Sequence, residues 1–351
     1  MWSRSLQRFG FGLCALLIGV AALAQASRQP TDVPLPAAAS DALRDVILSR
    51  PPRRADELPA PPDTAAEWRR LIAAVDAPNL AEVDAYLADL PVTARPVTLN
   101  GVDAWQVTPD ETPPEFAGKV MMDLHGGAYV FFAGKGSLDE SLVLASRVGI
   151  PVVSVDYRMP PDHPFPAALD DAVLAYLALL EDYDASDIAM GGTSAGGGLT
   201  LATVHRLKSL GYPLPGVLYL GTPWADLTKT GDTQFTNENL DRVLVTYDNT
   251  LGAAARLYAG MDSLTHPLIS PVYGGFDGFP PTILTSGTRD LFLSDVVRVH
   301  RKMRAAGVVA DLHVYEAMSH AGYIVSPQTP ESKDMYREVG AFFRRYRVGA
   351  D

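Results

Sequence analysis

The segment around Ser194 constrains the fold more than any other stretch of this chain. A short apolar run, Asp187 to Met190, is followed by a serine between glycines, in the pattern Gly-x-Ser-x-Gly, and then by a helical pattern. This order predicts a strand, a sharp turn and a helix, in which Gly192 and Gly196 let the backbone pass close to its neighbours. Ser194 then stands at the apex of the turn. The amide of Ala195 lies at a helix N-terminus, where developing negative charge is stabilised.

Beyond residue 95 the chain alternates short apolar runs with stretches of helical length. Val97 to Leu99 and Ala104 to Val107, joined by Asn100-Gly101, predict a hairpin with a tight turn. Six further strands are predicted at Lys119–Leu124, Ile150–Val155, Ile188–Met190, Val217–Leu220, Thr282–Ser286 and Asp311–Glu316. The alternation is typical of an α/β protein whose mainly parallel central sheet is flanked by helices and has the hairpin at its edge. Reactive groups in such sheets gather at the carboxyl ends of the strands.

A glycine pair follows one of these strand ends, in the loop His125-Gly126-Gly127-Ala128-Tyr129. Its glycines allow two backbone amides to turn toward one point. Acyl transfer requires such donors, aimed at the oxygen that becomes negative in the tetrahedral intermediate. We therefore predict an oxyanion hole formed by the amides of Gly126, Gly127 and Ala195, with the His125 side chain bracing the turn.

The general base beside Ser194 is expected to be a histidine, and the chain has seven. His320 is the candidate, because it lies in the loop Met318–Gly322 after the last predicted strand, where its ring can reach the serine turn. The other six have simpler explanations as loop, helix or strand residues: His125, His163, His205, His266, His300 and His313.

The acid that orients this histidine is expected between the serine and the histidine in chain order. Asp290 closes the segment Thr282–Asp290, just past a strand end, and is the first choice. Asp295 is the alternative, but it opens a helical pattern and suits a helix N-cap. Glu316 is the third candidate and lies only four residues before His320, on the strand that delivers it.

Taken in chain order, these motifs resemble the bacterial hormone-sensitive-lipase-like esterases of the α/β-hydrolase fold. The resemblance covers about residues 65 to 348. It is carried by His-Gly-Gly-Ala-Tyr at 125–129, Asp-Tyr-Arg at 156–158, Gly-Thr-Ser-Ala-Gly-Gly at 192–197, Pro-Trp-x-Asp-Leu at 223–227, Arg-Asp at 289–290, and His320. It implies an α/β-hydrolase fold with a helical cap, and it implies that Ser194 is the nucleophile, Asp290 the acid and His320 the base, with the oxyanion donors named above.

The chain departs from the family pattern at two positions. Ala128 replaces the third glycine of the family's loop, which leaves the two amides in place. Thr193 stands where many relatives have aspartate, and this matches the subgroup with a Gly-Thr-Ser-Ala-Gly motif.

The resemblance implies a serine carboxylesterase that hydrolyses short- to medium-chain acyl esters through an acyl-enzyme, with no metal or organic cofactor. An amide or carbamate hydrolase could use the same groups. A non-catalytic ligand-binding relative is a further alternative, which the presence of His320 disfavours. Tyr129, Phe131, Phe132 and Trp224 are predicted to form walls of the substrate pocket. The net charge of −12, without a basic run, argues against a nucleic-acid partner. The oligomeric state is left open, with a homodimer among the candidates.

The chain divides into three predicted parts. Residues 1–26 have the charged start, apolar core and Ala-Gln-Ala ending of a secretory signal peptide, which predicts cleavage after Ala26, a periplasmic or secreted protein and no stable membrane span after cleavage. A retained anchor is the alternative. Residues 27–95 are predicted to be a linker and an N-terminal helical cap, with short helices near 41–49, 64–75 and 79–90. Residues 96–351 are predicted to form the catalytic domain, with a cap insertion at about 225–262.

Overall fold

The computed structural model describes residues 33–50 and 53–346, so the predicted signal peptide lies outside the described residues. Within them, eight strands form one sheet: β1 (Val92–Leu99), β2 (Val102–Pro109), β3 (Val120–Leu124), β4 (Val152–Val155), β5 (Ile188–Thr193), β6 (Val217–Gly221), β7 (Thr282–Gly287) and β8 (Ala310–Tyr315). Their order is β1-β2-β4-β3-β5-β6-β7-β8. β2 pairs antiparallel with β1 and β4, and all other neighbours pair parallel. The predicted α/β class is confirmed.

The antiparallel edge is the predicted hairpin. β1 and β2 are joined by Asn100 (φ 48°) and Gly101 (φ 84°), both in the left-handed region that a tight two-residue hairpin turn requires. Asn and Gly adopt this conformation at low cost, which is why this dipeptide marks the turn in the sequence.

Helices cover both faces of the sheet. The described residues contain α1 (Asp41–Ser49), α2 (Ala65–Asp89), α3 (Leu138–Val148), α4 (Ala167–Asp182), α5 (Ala195–Leu210), α6 (Thr233–Thr236), α7 (Thr250–Ala259), α8 (Leu293–Ala305), α9 (Gly322–Val325) and α10 (Pro330–Arg345). α4, α5 and α8 pack into one apolar core with Met122 and Leu124 of β3. α3 and α10 pack into a second core with Met121, whose side chain points to the opposite face. None of these helices combines the length and the apolar character that crossing a membrane requires.

The long helix α2 corrects the sequence prediction of two separate helices near 64–75 and 79–90. A single helix runs from Ala65 to Asp89, with Pro78 inside it. Proline removes one helical hydrogen bond and normally breaks a helix, so the sequence pattern favoured a break there. The helix continues because a capping box of Thr64 and Glu67 fixes its start, and buried Trp68 and Val83 anchor it on both sides of the proline.

The segment before α2 contacts the connection between β6 and β7, which contains α6 and α7. Ala55 N–H donates to Asn239 Oδ1 (2.7 Å), and Asn249 Nδ2 donates to Pro59 O (3.0 Å). These two parts of the chain thus lie against each other. Their assignment to a cap, and the boundary at residues 95 and 96, remain predictions.

Candidate active site

Ser194 stands at the turn between β5 and α5. Its backbone has φ 60° and ψ −120°, a conformation that side-chain-bearing residues rarely adopt. Hydrogen bonds hold the turn on both sides. Ser194 N–H donates to Gly221 O (2.8 Å), and Ser194 O accepts from Gly198 N–H (3.1 Å) and Trp224 N–H (2.8 Å). The strand, the sharp turn and the helix predicted around this serine are all present.

Two glycines of the turn lie against the backbone of β3. A Cβ on Gly192 would lie 2.0 Å from Leu124 O, and a Cβ on Gly196 would lie 1.7 Å from the same oxygen and 2.7 Å from His125 O. No side chain larger than hydrogen fits at either position. This contact brings the serine turn next to the loop that follows β3.

That loop presents free backbone amides beside the serine. A Cβ on Gly126 would lie 3.6 Å from Ser194 Cβ, and Gly127 has φ 103°, which turns its peptide in a way that favours glycine. Within residues 33–50 and 53–346, the amides of Gly126, Gly127 and Ala195 have no acceptor. Unpaired amides around one point suit the predicted oxyanion hole.

His125 braces this loop, as predicted. Its ring stacks on Tyr157 at 4.1 Å between centroids, and the Tyr157 hydroxyl donates to His125 O (2.6 Å). Burial lowers the pKa of His125 to about 4, so the ring is neutral at physiological pH.

His320 and Asp290 form a buried pair on neighbouring loops. His320 follows β8 and Asp290 follows β7, so both lie at the carboxyl edge of the sheet, as does the serine turn. His320 Nδ1 donates to Asp290 Oδ1 (3.0 Å), and the two residues are 3% and 0% exposed. Because the carboxylate only accepts, the proton of a neutral His320 is on Nδ1, and Nε2 is left as the basic nitrogen.

The Asp290 carboxylate is fully occupied by hydrogen bonds. Oδ1 also accepts from Phe292 N–H (2.8 Å), and Oδ2 accepts from the hydroxyls of Ser286 (2.8 Å) and Thr222. These bonds fix the carboxylate orientation and so the plane of the His320 ring.

The rival acids lie elsewhere. Asp295 lies inside the first turn of α8. The N-cap of this helix is Phe292, so Asp295 is not the N-cap that the sequence pattern suggested. Its Oδ2 accepts from Asp226 N–H (3.2 Å), and its Oδ1 lies 3.8 Å from Arg298 Nη1. Glu316 is exposed after the end of β8. Of the three candidates, only Asp290 contacts His320.

One cavity of about 620 Å³ is lined by Ser194, His320, Gly126 and Gly127. Most of its other walls are apolar and come from several parts of the chain: Leu58 before α2, Phe131 and Phe132 in the loop after Gly127, Val243, Leu244, Val245 and Leu251 in the β6–β7 connection, and Ile324 and Val325 in α9. One face of α2 closes the cavity with Leu71, Val75, Pro78, Asn79 and Glu82. The cavity thus brings Ser194, His320 and the unpaired glycine amides together in one mostly apolar chamber.

Of the four aromatic residues predicted as cavity walls, Phe131 and Phe132 line the cavity, whereas Tyr129 and Trp224 do not. Tyr129 is 1% exposed and stacks on Tyr258 at 3.8 Å, and Trp224 is 0% exposed and stacks on Phe292 at 5.4 Å. Both rings belong to the core beneath the site. The placement of a large aromatic residue near a motif does not reveal which way its side chain points.

Thr193, the departure from the family pattern, has its own buried contacts. Its hydroxyl lies 2.8 Å from Tyr323 OH and 3.3 Å from Tyr219 OH, and Tyr219 OH donates to Glu140 Oε1 (2.8 Å). Burial and the nearby Asp123 raise the pKa of Glu140 well above its ordinary value. Thr193 thus belongs to a network that packs behind the serine turn.

Two buried polar residues of the β6–β7 connection contact the catalytic loops and were not identified from the sequence. Asn237 Nδ2 donates to Asp290 O (2.8 Å), and Asp241 Oδ2 accepts from Leu291 N–H (2.9 Å) and His320 N–H (3.4 Å). Both lie in a polar stretch, Thr236 to Arg242, that reads as an ordinary surface loop. The partners in these three hydrogen bonds are distant backbone groups, so no local pattern signals the contacts.

The described residues contain no cluster of three or more His, Cys, Asp or Glu side chains arranged to hold a metal ion.

Comparison with known protein families identifies the family of this chain. Residues 121–324 match the family model of the alpha/beta hydrolase fold, and the chain belongs to this family.

The relatives include esterases and acetyl-hydrolases. An acetyl-hydrolase of Streptomyces hygroscopicus is 33% identical over 233 residues, covering 66% of this chain and 77% of that protein. An esterase of Acinetobacter venetianus is 31% identical over 255 residues, covering 72% of this chain and 82% of that protein. Esterase E25 has a crystal structure with 43% identity and a TM-score of 0.87, covering 89% of this chain and 96% of that one. The crystal structure of an esterase from the bacterial hormone-sensitive lipase family has 32% identity and a TM-score of 0.75, covering 88% of this chain and 99% of that one. The predicted resemblance is confirmed, and the chain is an esterase-type hydrolase.

Proposed function

We propose that this hydrolase is a serine carboxylesterase that cleaves short- to medium-chain acyl esters through an acyl-enzyme. The observation that carries the proposal is that Ser194, the Asp290-bonded His320 and the glycine amides of one loop meet at a single apolar cavity. The proposed roles are nucleophile for Ser194, base for His320 and acid for Asp290. The amides of Gly126, Gly127 and Ala195 are the proposed oxyanion donors.

The chemistry follows from the protonation state of the pair. His320 Nε2 takes the proton of the Ser194 hydroxyl as the oxygen attacks the ester carbonyl, and the imidazolium is stabilised by the Asp290 carboxylate. The three amides bind the carbonyl oxygen as it becomes negative. His320 then returns the proton to the departing alcohol, which leaves an acyl-serine. Water, deprotonated by the same nitrogen, releases the acid and restores the enzyme.

The cavity has room for a small-molecule ester. Its volume of about 620 Å³ lies in the ordinary range for small-molecule sites, about 300 to 1,000 Å³. Its apolar walls favour an acyl chain over a charged group. The short chain of an acetyl or butyryl ester fits with room to spare, and the limit to short and medium chains is proposed from the family resemblance.

The part of the chain that closes the cavity is proposed to be a cap formed by residues 27–95 and the insertion 225–262. Its support is that α2 and residues 243–251 contribute walls of the cavity. Export is proposed from the first 26 residues. N-terminal sequencing of the protein from the periplasmic or culture fraction should begin at Ser27, and recovery of an uncleaved, membrane-bound chain would contradict it.

The test of function is covalent labelling combined with turnover. A fluorophosphonate probe should label Ser194, as mapped by peptide mass, and Ser194→Ala and His320→Ala should abolish labelling. His163→Ala is the matched control, because His163 is exposed in a loop. With p-nitrophenyl esters, kcat/KM should be highest from acetyl to octanoyl and fall sharply at palmitoyl. Absence of labelling in the folded wild-type protein, or faster turnover of matched amides than of esters, would refute the proposal.

A further inference from the structure

Asp241 is a buried carboxylate that faces the catalytic loops. It follows α6 in the β6–β7 connection and is 1% exposed. Oδ2 accepts from Leu291 N–H (2.9 Å) and His320 N–H (3.4 Å). Leu291 directly follows Asp290, so one oxygen contacts the loop of the acid and the loop of the base together.

The second oxygen of Asp241 faces its own segment. Oδ1 accepts from Val243 N–H (2.9 Å) and Leu244 N–H (3.2 Å). Val243 and Leu244 are walls of the substrate cavity. A single carboxylate therefore holds a piece of the cavity wall at a fixed position relative to both catalytic loops.

Neighbouring residues of the same segment reinforce these contacts. Asn237 Nδ2 donates to Asp290 O (2.8 Å) and Thr288 O (3.2 Å), and Arg242 N–H donates to Ser319 Oγ (3.0 Å). Ser319 directly precedes His320. Residues 237–242 thus contact both loops, at Asp290 and His320 themselves and at the residues next to them.

Stability alone does not account for a carboxylate at this position. Burying a charge without a cationic partner is unfavourable, and a neutral side chain of similar size usually costs less. The ionisable groups that face Asp241 from the packed loops are Asp290 and His320, and its own segment offers backbone amides. Burial, followed by repulsion from Asp290, raises the pKa of Asp241 to about 6, and His320 opposes this rise. Above that pH the carboxylate adds a second negative charge near the imidazole.

We propose that Asp241 is a positioning residue for the esterase reaction. It fixes the His320 and Asp290 loops against the cavity wall, and its negative charge stabilises the imidazolium that forms when Ser194 attacks. The inference rests on the function proposed above. Through its hydrogen bonds to four backbone amides, Asp241 holds the cavity wall and the His320–Asp290 pair in a fixed relative position.

The test compares Asp241→Asn with Asp248→Asn. Both changes remove one negative charge from the β6–β7 connection, but Asp248 is exposed and pairs with Lys229. In Asp241→Asn, the amide group must face either the Leu291 and His320 amides or the Val243 and Leu244 amides, so one pair of donors loses its acceptor. Thermal unfolding establishes that both variants are folded before kinetics are compared.

We expect Asp241→Asn to lower kcat and the fluorophosphonate labelling rate by about 10- to 100-fold, because displacement of catalytic groups by about 1 Å has effects of this size. KM should change by less than about threefold, since the apolar walls are retained. Removal of a nearby negative charge disfavours the protonated form of the imidazole, so the acid limb of the kcat/KM profile should move to lower pH. A residue with a purely structural role would lower the unfolding temperature without moving this limb.

The proposal is overturned if Asp241→Asn matches Asp248→Asn in kcat within about threefold and in its acid limb. If Asp241→Asn does not fold, Ser319→Ala replaces it, because this change removes only the acceptor of Arg242 N–H. Ser319→Ala should lower kcat by about three- to tenfold, which corresponds to the free energy of one hydrogen bond. An unchanged kcat would equally refute the proposal. Failure of the probe to label wild-type Ser194 is a separate outcome that contradicts the proposed function itself.

Discussion

Replacement of Gly196 by alanine tests the geometry of the serine turn most directly. The new Cβ would lie 1.7 Å from Leu124 O, whereas real Cβ contacts are not shorter than 3.0 Å, so the turn and β3 must separate by about 1.3 Å. The obstructing atom is a sheet backbone oxygen and cannot rotate away. Because the loop with Gly126 and Gly127 follows Leu124 directly, the separation moves the proposed oxyanion donors away from Ser194.

A displacement of about 1 Å costs about 10²-fold in rate, so we expect at least that loss in kcat/KM. Overpacking of this kind also lowers the free energy of unfolding by about 1 to 3 kcal/mol. Gly275→Ala is the matched control, because Gly275 is exposed and its nearest neighbour to a new Cβ is Asp277 Oδ2 at 3.7 Å.

The assay combines p-nitrophenyl butyrate hydrolysis, the fluorophosphonate labelling rate and thermal unfolding. Gly275→Ala should behave as wild type in all three. If Gly196→Ala keeps kcat/KM within about threefold of wild type and unfolds at the same temperature, the turn does not depend on this contact and our reasoning about the site is refuted.

Three further substitutions give expectations of different kinds. Asp290→Asn should lower kcat by about 10²-fold, the value of a charge-assisted hydrogen bond. Phe292 N–H requires the carbonyl oxygen of the new side chain at the Oδ1 position, so His320 keeps its proton on Nδ1; a loss near 10⁴-fold would show instead that the tautomer is inverted. Asp295→Asn should leave kcat within about threefold of wild type, because Asp295 contacts Asp226 and Arg298 rather than His320; a larger loss would show that the wrong acid was chosen. Burial, with the charges of Glu82 and Asp123, raises the pKa of Asp139 to about 7. The folded chain therefore holds a proton that the unfolded chain releases near pH 4, and stability falls as pH rises between about 4 and 7. Asp139→Asn should reduce this fall in unfolding temperature, and an unchanged pH dependence would contradict the assignment.

The sequence predicted the sheet and the main site residues because their signals are local. The turn at Ser194, the glycine loop after β3 and the strand ends before Asp290 and His320 each follow from a few neighbouring residues. Parallel strands then bring their carboxyl ends together without further information. The expected chain order of serine, acid and histidine then indicated where in the sequence to look for the acid.

The features that the sequence did not predict depend on distant contacts. The continuity of α2 through Pro78 depends on anchors at both ends of the helix, which outweigh the local preference for a break. The inward orientation of Tyr129 and Trp224 depends on stacking partners far along the chain. The role of Asp241 depends on amides about 50 and 79 residues away.

The face of α2 that closes the cavity has a consequence for engineering and for divergence among relatives. Its wall residues recur at helical spacing along one stripe: Leu71, Val75, Pro78, Asn79 and Glu82. No residue of this stripe belongs to the sheet or to the catalytic loops. A library restricted to these five positions would therefore vary acyl preference while the reaction machinery is left unaltered. Selection in nature can act on the same stripe, so substrate range and chemistry are free to evolve separately.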